Sequence, residues 1–329
     1  MSTSIYDIFA DLQRNEDNQN DYFSVAPLPF NPNHKVGVSA QGFPMFFVSG
    51  KNTTHTLDVN LELISILFAK NCNLIEPNQE PRQDIYTIIS LKTEDADFQQ
   101  YFLEVVCIIL EQLPDIPTHN QLKFEINKLV ELFSRFTRPP RKTIQGLWAE
   151  LFIIEQAKNP EYLIQAWHAS SEDRFDFNDA YDKIEVKSTS KAHRIHSFSL
   201  EQLNPNRTSN LLIASVFVVQ TGRGKNIFDL KNSIFDRVRN LQLQFRLNEI
   251  LSQTIGNDFD KTFDVFFDYQ QAIDTLQFFD FRDIPTINQD LLRSEISNIR
   301  FDCDLSRLPT IKDKKNEISN SFLFKSIKI

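Results

Sequence analysis

The apolar run at residues 211–219, L-L-I-A-S-V-F-V-V, constrains the fold of this chain more than any other segment. Side chains alternate between the two faces of a strand, so a run without polar alternation predicts a strand that is covered on both faces. Amphipathic helical patterns lie on either side of it, at residues 143–154 and 226–247. The order helix, hairpin, further strand, buried strand and helix predicts an α/β (α+β) domain with a mixed central sheet flanked by helices.

The chain as a whole is predicted to have three parts. Residues 1–92 contain strand-like apolar segments separated by clusters of turn formers, which predicts a mainly β N-terminal module. Residues 93–140 contain two helical patterns interrupted by prolines, which predicts a helical connector. Pro139 and Pro140 stop a helix and stiffen the chain, so the remaining domain is predicted to span residues 141–329.

Composition excludes several classes of protein. Only 7 of the 329 residues are glycine, and neither G-x-x-x-x-G-K nor G-x-G-x-x-G occurs. The sequence therefore argues against a protein with a glycine-rich nucleotide-binding loop. The net charge of −9 implies that nucleic acid is bound only through a local basic patch or with the help of a partner. The 3 cysteines lack metal-ligand spacing, so we expect reduced thiols and a cytoplasmic protein. We expect neither a signal peptide nor a membrane span, because no apolar run approaches about 18 residues.

The stretch from Phe175 to Lys187 carries the residues of chemical interest. Strand patterns at its two ends flank a segment rich in turn-forming residues, which predicts a hairpin. Because side chains alternate along a strand, Glu185 and Lys187 share one face, and Asp176 can lie opposite Glu185 on that face. Two carboxylates and one amine then converge, which predicts a divalent-cation site beside a lysine.

Such a grouping suits the hydrolysis of phosphodiester bonds. Carboxylate oxygens hold Mg²⁺, which keeps several waters and shares a phosphate with its substrate. The ion lowers the pKa of a bound water and neutralises the charge that builds up on the phosphate. A nearby lysine can orient or deprotonate that water. The alternative is an ordinary surface hairpin with a salt-bridge ladder, which contributes little to stability.

Asp176 and the triplet Glu185-Val186-Lys187 resemble the motif of the PD-(D/E)XK nuclease superfamily. The helical segment at 146–150 resembles the one that gives this superfamily a further acidic residue, here Glu150, and Gln202 resembles its auxiliary glutamine. More narrowly, the series resembles uncharacterised bacterial PD-(D/E)XK proteins of restriction and phage-defence loci. One departure is Phe175, which stands where many members have a proline.

This resemblance implies a restriction-endonuclease-like core and an Mg²⁺-dependent endonuclease that acts on DNA, with Mn²⁺ able to replace Mg²⁺. Asp176, Glu185 and Glu150 would hold the metal. Lys187 would position or activate the attacking water, and Gln202 would orient that lysine or a phosphate. The resemblance also implies a restriction or phage-defence setting in which other protein subunits supply target recognition.

Basic residues follow the hairpin in an otherwise acidic chain, namely Lys191, His193, Arg194 and His196. Such a cluster predicts phosphate contacts, which position a nucleic-acid backbone without reading its sequence; a solvated loop is the alternative. The C-terminus is also basic, and is either an interaction tail or a solvated segment.

Two other functions stay open at this stage. The first is a catalytically silent adaptor that keeps the nuclease fold within a defence complex, and an absence of metal binding would favour it. The second is an RNA-directed or repair nuclease, because metal-assisted phosphodiester chemistry does not distinguish DNA from RNA. Comparing the cleavage of matched DNA and RNA substrates would separate an RNA-directed nuclease from the DNA endonuclease described above.

Overall fold

A computed structural model describes residues 4–14, 22–51, 57–168, 173–204, 209–287, 292–293, 296–313 and 321–329. The chain divides into two compact units, Met1–Pro139 and Pro140–Ile329. The division falls between two adjacent prolines, which cannot continue a helix. A helix that the sequence pattern predicts at 288–293, and Lys314 and Lys315 of the basic C-terminus, fall mainly or wholly outside the described residues.

In its described residues, the first unit combines a closed arrangement of strands with three helices. β1 pairs antiparallel with β2 and in parallel with β5, so that β1, β2, β3, β6 and β5 form a ring, with β4 at the edge of β5. The elements are α1 (Ile5–Arg14), β1 (Phe23–Leu28), β2 (Asn31–Val38), β3 (Pro44–Val48), β4 (Val59–Asn60), β5 (Ile64–Ile75), β6 (Arg82–Leu91), α2 (Ala96–Glu111) and α3 (His119–Arg135).

The core of the first unit joins these strands to α2. The ring of Phe102 in α2 lies 5.8 Å from that of Phe46 in β3, and both are fully buried. The helices at 96–135, in the range for which the sequence predicts a connector, therefore belong to the same compact unit as the strands. Gly37 lies where strands crowd, because a Cβ there would be 2.9 Å from side-chain atoms of both Phe47 and Val25.

The second unit alternates helices and strands. Its elements are α4 (Ile144–Gln156), α5 (Pro160–Ala166), β7 (Phe177–Asn178), β8 (Asp182–Thr189), β9 (Ile195–Ser199), β10 (Asn210–Phe217), β11 (Gln220–Thr221), α6 (Ile227–Phe235), α7 (Leu241–Ile255), α8 (Phe259–Phe263), β12 (Phe266–Phe267), α9 (Tyr269–Thr275), β13 (Gln277–Asp280), β14 (Arg300–Asp304) and α10 (Phe322–Ser326). Short 3₁₀ helices occur at Gly256–Asp258, Phe281–Asp283 and Ile311–Asp313.

A four-stranded mixed sheet in the order β13-β10-β8-β7 lies at the centre of this unit. β8 and β10 are parallel, whereas the two outer pairings are antiparallel. β10 is buried from Leu211 to Val216, because α4 packs near β8 and an apolar cluster including Phe198 and Phe279 surrounds Leu211 and Ile213. The predicted fold class, a mixed sheet flanked by helices, is confirmed.

One predicted strand is much shorter in the structure than in the sequence pattern. The sequence pattern at 263–269 predicts a strand, but the structure has the end of α8, the two-residue strand β12 and the start of α9. The side chain of Asp268 accepts a hydrogen bond from the backbone N–H of Gln271, and this N-cap favours a helix start at that point. Among the described residues, no helix combines the length and the apolar character that crossing a membrane requires.

Candidate active site

The predicted hairpin forms between β7 and β8. The pairs Phe177–Ile184 and Asn178–Lys183 lie opposite each other, so the next step of this register brings Asp176 opposite Glu185. Oδ2 of Asp176 accepts a hydrogen bond of 2.9 Å from the backbone N–H of Val186, which fixes the carboxylate against β8.

The turn of this hairpin is closed by its own side chains. Oδ1 of Asp179 accepts hydrogen bonds from the backbone N–H groups of Tyr181 and Asp182, at 3.1 and 2.8 Å. Ala180 has a φ of 74°, a left-handed conformation that side chains with a Cβ rarely adopt. Oδ1 of Asn178 accepts from the N–H of Ala180, which helps to hold this conformation. The turn thus sets the register that places Asp176 beside β8.

Helix α4 brings a third carboxylate to the hairpin. Thr143 caps the helix, since its side chain accepts a hydrogen bond from the N–H of Gly146. Two turns into the helix, Glu150 is buried, and its Oε2 accepts a hydrogen bond of 2.8 Å from the indole nitrogen of Trp167. Oε1 of Glu150 faces Lys142, whose Nζ lies 2.6 Å away and also 2.9 Å from Oδ1 of Asp176. Glu150 and Asp176 therefore share one ammonium group.

The carboxylate of Glu185 has a lysine and an amide of its own. Nζ of Lys187 lies 2.8 Å from Oε1 of Glu185, and Nε2 of Gln202 donates to the same oxygen at 2.7 Å. Lys187 also donates to Oε1 of Gln202 at 3.4 Å. Ser199 holds the glutamine in place through hydrogen bonds to its backbone and side chain. Gln202 therefore orients both Glu185 and Lys187.

Burial sets the protonation of this cluster. Burial, and then the charge of Asp176, raises the pKa of Glu150 to about 8, although Lys142 and Trp167 oppose this shift. The same two causes, opposed mainly by Lys187, raise the pKa of Glu185 to about 7. Burial lowers the pKa of Lys142, but the charges of Asp176 and Glu150 raise it more, so its pKa lies above the ordinary lysine value. Lys142 is therefore an ammonium at neutral pH.

The donors present suit a hard divalent cation. Glu150, Asp176 and Glu185 offer carboxylate oxygens, and their three charges exceed those of Lys142 and Lys187 when all five groups are ionised. Within the described parts of the chain, no three or more Asp, Glu, His or Cys side chains are arranged to hold a metal ion. An ammonium lies between the oxygens of Glu150 and Asp176 instead, so these residues fit a cation once that group moves away.

The basic residues that follow the hairpin separate into two pairs. Lys191 and His193 are exposed. Arg194 is buried, and its guanidinium donates to the backbone oxygen and the hydroxyl of Ser215, each at 2.9 Å, and to the carbonyl of Thr275.

His196 is also buried, with Nε2 lying 2.7 Å from Oγ of Ser215. Burial, followed by the charges of Lys187 and Arg194, lowers the pKa of His196 to about 4, so this ring is neutral at pH 7. The predicted phosphate contacts are therefore wrong for Arg194 and His196, whose side chains brace β9 against β10. Only Lys191 and His193 of this group face solvent.

Sequence pattern missed two residues of the cluster, and it also predicts the wrong environment for the glycine of α4. Lys142 and Trp167 have no motif spacing to Glu150, and each meets it only in the folded chain. Gly146 predicts close packing of α4, but a Cβ there would approach only Oγ1 of Thr143, at 3.2 Å. A buried position for Glu150 within an apolar helix, from Leu147 to Ile154, is the one signal that could have indicated a partner for this carboxylate.

Comparison with known proteins bears on these residues. A family model described as "Putative PD-(D/E)XK family member, (DUF4420)" matches residues 8–306, a span that includes the whole cluster from Lys142 to Gln202. Neither a search of curated proteins nor a search of solved structures found a match. PD-(D/E)XK nucleases typically use divalent metals, in agreement with the carboxylate donors described above. The chain therefore belongs to the DUF4420 family of PD-(D/E)XK proteins.

Proposed function

We propose that this protein is a metal-dependent endonuclease that hydrolyses phosphodiester bonds in DNA, with Mg²⁺ as its cofactor and Mn²⁺ able to replace it. The convergence of Glu150, Asp176 and Glu185 with Lys187 is the observation that carries this proposal. An ordinary surface hairpin, the alternative reading, does not account for three clustered carboxylates of which two are almost completely buried.

The carboxylates and the lysine would have different roles in such a reaction. Glu150, Asp176 and Glu185 would hold the cation, which when bound supplies a polarised water and neutralises charge on the phosphate. Nζ of Lys187 carries hydrogen-bond donors that can orient the attacking water and stabilise the negative charge of the phosphate oxygens. Because a donor fixed in advance needs no reorganisation during the reaction, the bonds of Lys187 to Glu185 and Gln202 support this role.

The acidic chain limits how DNA is bound. Lys191 and His193 follow β8 and face solvent, so they are the proposed phosphate contacts on this side of the site. With a net charge of −9, two such residues give weak binding, and we propose that other subunits of a restriction or phage-defence system bring the protein to its target. Tight, salt-resistant DNA binding by the isolated chain would argue against this dependence.

The test compares wild type with Lys187→Ala on supercoiled plasmid, in Mg²⁺, in Mn²⁺ and in chelator. Lys261→Ala is the matched control, because it removes an exposed lysine whose surface ion pair with Asp258 contributes little. We expect nicking or linearisation by wild type and the control alone, and none with chelator. Equal cleavage by Lys187→Ala would place the activity elsewhere or in a contaminant.

Two further outcomes separate the proposal from its rivals. Cleavage of a matched RNA in preference to the DNA would mean that the substrate is RNA, while the metal-dependent hydrolysis of phosphodiester bonds would stand. If wild type cleaves neither nucleic acid and a calorimetric titration gives no heat with Mg²⁺ or Mn²⁺, the catalytically silent adaptor is the better description.

A further inference from the structure

We propose that Lys142 is an internal competitor for the cation site, an ammonium that occupies the Glu150–Asp176 carboxylate pair and must leave before a divalent cation binds both. The proposal rests on the proposed function in one respect, which is that these carboxylates are cation ligands. It goes further in assigning to Lys142, which lies outside the PD-(D/E)XK motif, control over how tightly the cation is held.

The position of the ammonium carries this inference. Nζ of Lys142 lies 2.6 Å from Oε1 of Glu150 and 2.9 Å from Oδ1 of Asp176, which is hydrogen-bonding distance to two carboxylates at once. The two acids come from different elements, one from α4 and the other from the segment before β7. A cation shared by these oxygens would need the same space, so Lys142 and the cation exclude each other.

Lys142 is the member of the cluster that can move. Its side chain is 30% exposed, against 6% for Glu150 and 13% for Asp176. It precedes the cap residue Thr143, so its backbone lies outside helix α4, and its long flexible stem can take the ammonium into solvent without disturbing that helix. Glu150 is fixed by Trp167 and Asp176 by the backbone of β8, so the carboxylates stay in place when the lysine leaves.

Lys187, the second lysine of the site, does not join two carboxylates as Lys142 does. Lys187 contacts the single carboxylate of Glu185, is held by Gln202 and lies 5.1 Å from the centre of the Phe198 ring. It has the same charge as Lys142 and is less exposed, at 18% against 30%, but it bridges no carboxylate pair. Removing Lys187 therefore takes away the same charge and frees one oxygen of Glu185, whereas removing Lys142 frees a position shared by two carboxylates.

The experiment measures cation affinity without any nucleic acid. Calorimetric titration with Mn²⁺ compares wild type, Lys142→Met and Lys187→Met, with Lys142→Gln as a second variant should Lys142→Met fail to fold. We expect the Kd for Mn²⁺ to fall about tenfold or more when Lys142 is removed, the scale seen when groups next to metal ligands change. For Lys187→Met we expect a change below about threefold, as for a partly exposed charge.

A spectroscopic signal checks that the ion binds at this position. The chain has 2 tryptophans, so a Trp148→Phe background leaves Trp167 as the one indole that can sensitise Tb³⁺ luminescence, and its nitrogen bonds to Glu150. We expect half-saturation at a lower Tb³⁺ concentration when Lys142 is replaced by Met. Lys142→Arg keeps a cation in the pair and should bind Tb³⁺ no more tightly than the Lys142 protein does.

The outcomes decide this proposal separately from the nuclease proposal. Unchanged or weaker Mn²⁺ binding by Lys142→Met overturns it, as does equal tightening by Lys187→Met, or a lack of cation binding in every variant. Plasmid cleavage by wild type, with equal Mn²⁺ affinity in Lys142→Met, removes this inference and leaves the nuclease. Tighter binding by Lys142→Met without cleavage by any variant sustains the inference and removes cleavage of plasmid DNA by the isolated chain.

Discussion

The indole nitrogen of Trp167 lies 2.8 Å from Oε2 of Glu150, and both side chains are buried. Trp167 follows α5, pairs through its backbone with Phe177, and stacks on the ring of that residue at 6.4 Å. One hydrogen bond thus links α4 to the edge of the β7–β8 hairpin. Because it occupies Oε2, it turns the other oxygen of Glu150 towards Lys142 and Asp176.

Replacing Trp167 by Phe should uncouple Glu150 from the hairpin. The loss of a buried donor to a carboxylate is expected to lower the free energy of unfolding by about 1–3 kcal/mol. It should also weaken Mn²⁺ binding, because Glu150 can then rotate away from Asp176. Urea denaturation and calorimetric titration measure the two effects.

Trp148→Phe is the matched control for this change. Its indole nitrogen also makes one hydrogen bond, of 2.9 Å, but to the backbone oxygen of Lys225 and away from the cluster. We expect a similar loss of stability with unchanged Mn²⁺ affinity. Equal weakening of Mn²⁺ binding by both variants would mean that the Trp167 bond supports the fold and not the orientation of Glu150.

Gln202→Leu removes the amide that holds Glu185 and Lys187 together. The size of the side chain is preserved, so we expect a small effect on folding but a fall in the rate of plasmid cleavage of roughly 10- to 100-fold. Asn204→Leu is the control, because Asn204 lies in the same turn and its side-chain amide donates to the backbone oxygen of Leu200. A full cleavage rate for Gln202→Leu at saturating Mn²⁺ would remove the orienting role.

The parts of the site that follow from local sequence could be predicted. The turn formers at 178–182 and the strand alternation around Glu185 place Asp176 opposite that residue, and the structure has this register. Thr143 begins α4 because a threonine side chain can satisfy a free backbone N–H. Residues 211–217 of the apolar run lie in β10, which is buried from Leu211 to Val216 because these apolar residues need cover on both faces.

The parts that depend on distant residues could not be predicted. Lys142 and Trp167 meet Glu150 only because α4, α5 and the hairpin pack together. A charged residue in a polar stretch is normally exposed, yet Arg194 is buried because Ser215 of β10 offers it both a carbonyl and a hydroxyl. Counting the basic residues of the sequence therefore overestimates how many of them are exposed beside this site.

The contribution of Glu150 to the stability of the cation-free protein should fall as the pH rises. The pKa of Glu150 is raised in the folded state from an ordinary 4.5 to about 8, so between these values the folded protein keeps a proton that the unfolded chain releases. The stabilisation of the folded state by this proton on Glu150 is complete below pH 4.5 and is lost as the pH rises through 8. Glu185, with a raised pKa of about 7, acts in the same direction.

Glu150→Gln should flatten this dependence. The variant cannot ionise at this position. The difference in free energy of unfolding, variant minus wild type, should therefore increase by about 1–3 kcal/mol between pH 5 and pH 8.5. Urea denaturation at several pH values in chelator measures the difference, with Glu62→Gln, an exposed position in the first unit, as the control substitution. A constant difference between variant and wild type across this range would contradict the raised pKa.

Lys191 provides a test of the proposed DNA contact. Lys191→Glu removes one exposed positive charge next to the hairpin, so we expect weaker binding to DNA of any sequence and a salt slope reduced by about one. Binding is measured in Ca²⁺, in place of Mg²⁺ or Mn²⁺, over a series of salt concentrations, with Lys261→Glu as the charge-matched control. Because Lys191 lies outside the carboxylate cluster, Mn²⁺ affinity should stay at the wild-type value. A salt slope equal to that of wild type would place the phosphate contacts on another surface, and an equal loss of binding in Lys261→Glu would indicate an effect of net charge alone.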